Sequence, residues 1–363
     1  MAARVALRVG AGSLAALVVV GGALYFTGVL DESAPDTTSA ALCEGLMPQD
    51  RLERFLGGQP LTSDDVITDR LDQEPQECSV RPRREVAETY YDELDVVVSR
   101  DAGSRELLMG LGRQMSDDWT QVVSPLGNGW RGVLRADDGA TRAAVVMLCG
   151  DGGQGDGSVV VNLTARHLDE SQTPATSQQR AQLARLATDT AATAAARAGC
   201  DAQHGTTVRD VAAPFPAAYD GSGATAPGKA TGTCAGIATA TRETEADPLA
   251  PIEDCLLLDE AGKPAFRLAA YYGPFVQDGY VATYQRGDSG KFSGPAGGAD
   301  GLYWADAECP AQGGTAFFTS ETLSSGEGYT SPDPALQQSA LRRFAERSAK
   351  AHGCEVPVQP PVA

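Results

Sequence analysis

Eight cysteines carry the most constrained chemistry in this chain: Cys43, Cys78, Cys149, Cys200, Cys234, Cys255, Cys309 and Cys354. A structural zinc site wants Cys-x-x-Cys pairs, and no two of these residues are closer than 21 positions. An even number of widely spaced cysteines reads instead as four disulfides formed in an oxidising compartment. Other reactive patterns are weaker. Gly287-Asp288-Ser289-Gly290 has the form of a serine-protease nucleophile loop, but that chemistry needs a base histidine oriented by an aspartate. His167 and His204 lie before a helix and in a linker, without such a context. With His352 they are the only histidines, so a multi-histidine metal site is excluded.

The remaining motifs have plain structural explanations. Arg286-Gly287-Asp288 is a chance tripeptide in a Gly/Ser-rich loop. Gly152-Gly153-Gln154-Gly155-Asp156 and Asp137-Asp138-Gly139 lack the ligand spacing of calcium loops and read as turns. Asn162-Leu163-Thr164 matches a glycosylation sequon but falls in an expected strand. The acid pairs Asp64-Asp65 and Asp117-Asp118 belong to a chain with 48 acidic residues and read as solvated surface. Trp119, Trp130, Tyr303 and Trp304 read as core or interface aromatics, with a binding groove as the other reading. No phosphate loop or nucleotide fingerprint occurs. The expectation is no catalytic, cofactor-binding or metal-binding residue, and no cofactor.

The cysteine contexts repeat. Cys43-Glu44-Gly45-Leu46 parallels Cys234-Ala235-Gly236-Ile237, and Glu77-Cys78 parallels Asp254-Cys255. The third cysteine of each set, Cys149 or Cys309, ends an apolar run and is followed by a strand-like run. Each set closes on an alanine-rich helical stretch ending Gly199-Cys200 or Gly353-Cys354. This predicts two homologous domains, 43–200 and 234–354, rather than a solenoid. Four cysteines allow three pairings per domain; first-to-second and third-to-fourth is the preferred one, tying opening helix to first strand and central strand to closing helix.

The elements that must position these cysteines are legible in outline. Glu44 to Leu56 has helical spacing with Gly57-Gly58 as its stop, and Ser104 to Gln114 reads as a short helix. Strands are expected at Cys78, at Leu94 to Ser99, in a hairpin from Trp130 to Leu148, and at Ser158 to Ala165. The second set predicts strands at Cys255 to Leu258 and Phe266 to Tyr271, then near Tyr280, Tyr303 and Phe317. Ser177 to Ala198 and Pro334 to Ala351 are the closing helices, with Asp333 as an N-cap. The fold class is therefore α+β: two domains, each a mostly antiparallel sheet packed with helices and stapled by two disulfides, after one N-terminal transmembrane helix.

That helix is read from Val9 to Leu30, uncharged, with Arg4 and Arg8 before it and Asp31 and Glu32 after it. Twenty-two residues span about 33 Å, a bilayer core, and the arginines place the amino terminus in the cytoplasm. A cleaved signal peptide has a shorter apolar region; the uncleaved anchor is the preferred reading. The expected organisation is anchor 1–30, polar spacer 31–42, first domain 43–200, linker 201–233, second domain 234–354 and tail 355–363. Lys+Arg number 29 against 48 Asp+Glu, a net charge of -19. This excludes a nucleic-acid partner needing a basic face, and beyond the anchor it repels anionic lipid. At 42% hydrophobic and 21% charged, the 363 residues have material for cored domains.

The order Cys-x-Gly-Leu, Gly-terminated helix, acid-Cys strand, further strands and Ala-rich Gly-Cys helix resembles a family of actinobacterial extracytoplasmic envelope domains. They occur in lipoproteins of unknown function and are similar to the extracellular sensor modules of a membrane serine/threonine kinase. The resemblance covers Cys43 to Cys200 and Cys234 to Cys354, and the chain departs from it by lacking a lipoprotein cysteine and a kinase domain. It implies a binding or sensing module with no catalytic residues. The expected function is a membrane-anchored, non-catalytic extracytoplasmic binding or sensing protein of the bacterial envelope, whose partner is an envelope ligand or another protein. An envelope hydrolase using paired carboxylates, or a structural or assembly factor, are the alternatives.

Overall fold

The computed structural model describes residues 42–65, 76–83, 91–100, 122–137, 140–150, 157–166, 175–213, 223–284, 294–299, 301–323 and 330–359. The expected anchor 1–30, the helix expected over 104–114, Asp117-Asp118, Trp119, the 152–156 run, His167 and the 286–290 loop lie outside them. Among the described residues no helix is long and apolar enough to cross a membrane.

The first half builds an antiparallel sheet from β1 (Leu61–Asp65), β2 (Gln76–Pro82), β3 (Glu93–Arg100), β4 (Ser124–Pro125), β5 (Gly132–Asp137), β6 (Ala140–Leu148) and β7 (Ser158–Arg166). Its order is β1-β2-β3-β7-β6-β5-β4. The second half builds another from β8 (Thr241–Glu243), β9 (Ile252–Leu258), β10 (Pro264–Tyr272), β11 (Ala296–Ala299), β12 (Leu302–Cys309) and β13 (Gly314–Thr322). Read from β8 its order is β8-β9-β10-β13-β12-β11. Apart from the extra edge strand β4, the two orders are the same: three strands in sequence, then the last, then two in reverse.

Four α-helices accompany the sheets among the described residues: α1 (Gln49–Phe55), α2 (Ser177–Arg197), α3 (Phe275–Tyr284) and α4 (Pro334–Ala351). Helix α2 lies on β6 and β7, and α4 on β10, β12 and β13. Each buries an Ala-rich face carrying a few large residues, Leu183 and Leu186 in α2, Leu341 and Phe344 in α4. Caps fix their ends. Thr176 and Gln179 form a reciprocal capping box on α2, and the Asp333 carboxylate accepts from Leu336 N in α4.

The opposite faces of the two sheets meet. Val133, Ala144, Val146 and Val160 of the first pack with Ile252, Ala269, Tyr271, Trp304 and Phe317 of the second, joined by Phe275 and Val276 of α3. The layer order is helix, sheet, sheet, helix. Burial along the strands records this arrangement: β9 and β10 are buried at every position, whereas β2 alternates buried and open. A strand covered on both faces has no solvent side for an alternating pattern to mark.

Two expected elements differ. The opening helix does not start at Glu44: Cys43 and Glu44 adopt left-handed backbone at φ 51° and 53°, and α1 begins only after Pro48. The turn and the proline consume the first helical turn. The strand expected near Tyr280 is helix α3 instead; its Phe275, Val276 and Tyr280 pack in the core between the sheets rather than pairing as a strand.

The interval 201–233 carries packed chain at both described ends. Val208 and Val211 are buried in the first core, and their carbonyls accept from Arg185 and Arg180 of α2. Thr225 bridges Thr241 beside β8. In the tail, Glu355 N and Val358 N donate to Glu308 O and Asp306 O at 2.8 and 2.9 Å, along the part of β12 beyond its pairing with β11.

Candidate functional site

All eight cysteines are bridged: Cys43–Cys78, Cys149–Cys200, Cys234–Cys255 and Cys309–Cys354. The repeated motifs now have physical reasons. In each Cys-x-Gly turn the residue after glycine donates back to the cysteine carbonyl, Leu46 N to Cys43 O at 2.9 Å and Ile237 N to Cys234 O at 3.1 Å. Gly45 and Gly236 supply the positive φ, 74° and 86°. In each Gly-Cys ending the cysteine N–H reaches back five residues, Cys200 to Ala195 and Cys354 to Ala349, both at 2.9 Å. With Gly199 and Gly353 at φ 65° and 73°, both are Schellman caps, which aim the fourth cysteine back at the strand end holding the third.

An acid sits opposite the second cysteine in both sheets. Glu243 pairs in register with Cys255, and Asp65 with Cys78. The Glu243 carboxylate accepts from the backbone of Thr231, Gly232 and Cys234 at 2.8 to 3.0 Å, and so fixes the loop that carries the first cysteine.

The polar chemistry concentrates at the seam between the sheets. Asp254, fully buried, accepts from Arg267 Nη2 at 2.9 Å and from Val123 N of the first half at 3.0 Å. Glu321 lies 3.8 Å from the same guanidinium. Burial opposes the Arg267 charge, but Asp254, Tyr271 and Glu321 outweigh it and hold its pKa above the ordinary arginine range. Thr244 Oγ1 donates to Val123 O, so residue 123 is held through both backbone polar groups. Arg242, on the same face of β8, is 3% exposed.

A second crossing runs from Arg131. Its Nη1 donates to Gln312 Oε1, and Gln312 Nε2 donates to Pro248 O at 3.2 Å and His352 O at 3.4 Å. Burial lowers the Arg131 pKa, against the pull of Asp247. Arg131, Leu148, Leu249, Pro251, Tyr272 and Gln312 help line a hollow of about 200 Å³, including the part open to solvent. The space enclosed there is about 10 Å³, room for roughly one water and far from a small-molecule pocket.

On the far side of the second sheet, Glu253 accepts from Arg347 at 2.7 Å and Ser348 at 2.6 Å, and Ser348 Oγ meets the Tyr272 hydroxyl at 2.5 Å. Burial and then the Glu253 charge raise the Tyr272 pKa. Near the tail, Tyr280 donates to Asp306 Oδ2 at 2.5 Å and stacks on Phe317. Burial lifts the Asp306 carboxyl to about 6; the Tyr280 bond opposes the shift and Glu308 adds to it.

The residues singled out by sequence do not converge. Trp130 sits in the first core, donating Nε1 to Thr206 O with His204 edge-on. Tyr303 is in the second core and Trp304 in the seam, so they form no common groove. Asp64 is exposed and paired with Arg81; Asn162 is buried in β7. His352 caps α4, stacked 3.8 Å from Tyr272, with Nδ1 and Nε2 at the carbonyls of Ser348 and Ala250. The seam charges Asp254, Arg267 and Arg242 were missed; the one sequence signal was Asp254 beside Cys255 inside an apolar strand. Among the described residues no group of His, Cys, Asp and Glu has metal-site geometry. No family model, curated protein or solved structure matches the chain.

Proposed function

We propose that this chain is a membrane-anchored, extracytoplasmic binding or sensing protein of a bacterial envelope, held outside the cell by the run 1–30 and non-catalytic. The observation that carries the reading is the set of four disulfides, two per half, each seated by a motif that recurs in both halves. Bridges of this number persist where thiols are not kept reduced. An apolar run with arginines on one side and acids on the other, ahead of the first cysteine, supports one membrane tether. Binding is favoured over a purely structural role because buried polar groups of the second half are gathered against backbone of the first.

The test uses intact cells expressing the full chain with a tag at each end. External protease should remove the C-terminal tag and spare the N-terminal one, and a membrane-impermeant thiol reagent should label the chain only after reduction. A protected C-terminal tag, or free thiols without reduction, overturns the reading.

A further inference from the structure

Arg242 is 3% exposed, yet its Nε and Nη2 have no hydrogen-bond partner among the described residues. The buried Arg267 and Arg180 differ: the first is met by Asp254, the second donates to Val211 O and Ala175 O. A buried cation without acceptors is strongly disfavoured and calls for an explanation such as an ion. The two bare nitrogens share one edge of the guanidinium, the fork that a planar carboxylate meets with two parallel bonds. Leu256 is the cross-strand neighbour of Arg242, and with Val122 of the first half and Leu323 it forms a buried apolar cluster. Arg267, next along the same row of the sheet through Leu256, is met by both Asp254 and Glu321, and neither acid hydrogen-bonds the Nε and Nη2 of Arg242.

We propose that Arg242 is the anion-binding residue of a ligand site at the seam, taking a monocarboxylate borne on a short apolar body. The carboxylate lies side-on to Nε and Nη2, and the apolar body rests on Val122, Leu256 and Leu323. Because these residues come from both halves, the ligand closes the seam at this point. The assignment rests on the binding reading above but not on the compartment.

The experiment is thermal unfolding of the full-length chain in detergent, titrated with sodium hexanoate, with hexanol and hexylammonium chloride as apolar and charge-reversed controls. Hexanoate should raise the midpoint saturably, by about 5 °C at a hundredfold excess over its dissociation constant, and neither control should. Arg242→Met keeps the apolar stem and should unfold at a higher temperature than wild type without hexanoate, and ignore hexanoate. Arg242→Lys keeps the charge but loses the fork and should need at least tenfold more hexanoate. The proposal is overturned by no saturable rise, by an equal rise with hexanol, by a response that survives in Arg242→Met, or by Arg242→Met unfolding below wild type. A hexanoate response in a chain that fails the protease test keeps the site and removes the envelope assignment.

Discussion

Asp306 shows how one residue's surroundings change its chemistry. Burial raises its carboxyl to about 6, so between about pH 4 and pH 6 the folded chain holds a proton that the unfolded chain has released. Stability from this group is therefore greatest below the unfolded value and is lost as pH rises through 6. A shift of this size corresponds to about 3 kcal/mol, but the carboxyl is partly open to solvent, and screening reduces it to about 1 kcal/mol. Asp306→Asn keeps an acceptor for Tyr280 and removes the charge. It should gain about 1 kcal/mol at pH 7 and nothing at pH 4 in denaturant titrations; an equal gain at both pH values would remove burial of the charge as the cause. Nothing local marks Asp306 or Arg242 in the sequence as unlike other acids and arginines. What separates them is which face of β12 or β8 they occupy and what covers that face, which only the tertiary arrangement decides.

At the scale of elements, the cysteine motifs were legible because each is a backbone device. Gly199 and Gly353 adopt positive φ so that the next residue can cap the helix and reach its bridge, and such a requirement constrains residue type locally. The α3 segment was not legible, since Phe275, Val276, Tyr280 and Val281 suit a strand by propensity; packing on β10 and β13 outweighs that preference. Two glycines separate backbone from packing effects. A Cβ on Gly199 meets nothing within 4 Å, so Gly199→Ala should cost only the left-handed strain, about 1 kcal/mol. A Cβ on Gly232 would lie 2.1 Å from the Thr244 carbonyl oxygen and 3.1 Å from Glu243 Oε2, in the loop that Glu243 holds for Cys234. Gly232→Ala should cost about 3 kcal/mol, and equal unfolding midpoints for the two variants would refute the role given to that loop.

For the whole molecule, the decisive feature is the shared core between two sheets of the same strand order. The sharing of that core is not legible in the sequence, because the partner of an apolar strand face is not written in the strand. The positions that close the seam, Val160, Ala269 and Phe317 among them, look like ordinary core residues of their own sheets. Residues 42–363 form one compact unit, so the wild-type chain should unfold in a single calorimetric transition, with equal calorimetric and van't Hoff enthalpies. Asp254→Asn tests whether the two halves unfold as one. Asparagine can still accept from Val123 N, but Arg267 then keeps only Glu321, 3.8 Å away, as counter-charge for a guanidinium buried in the seam. Breaking a buried pair by removing one partner costs about 3–5 kcal/mol. Asp254 and Arg267 both belong to the second sheet, and asparagine keeps the bond to Val123, so that loss should fall on the second half, while the first keeps its own two disulfides and helix-covered core. The variant should therefore show two separated transitions, the halves melting independently. A single transition shifted to lower temperature would mean instead that the seam and the two cores are one cooperative structure, with Asp254 supporting all of it.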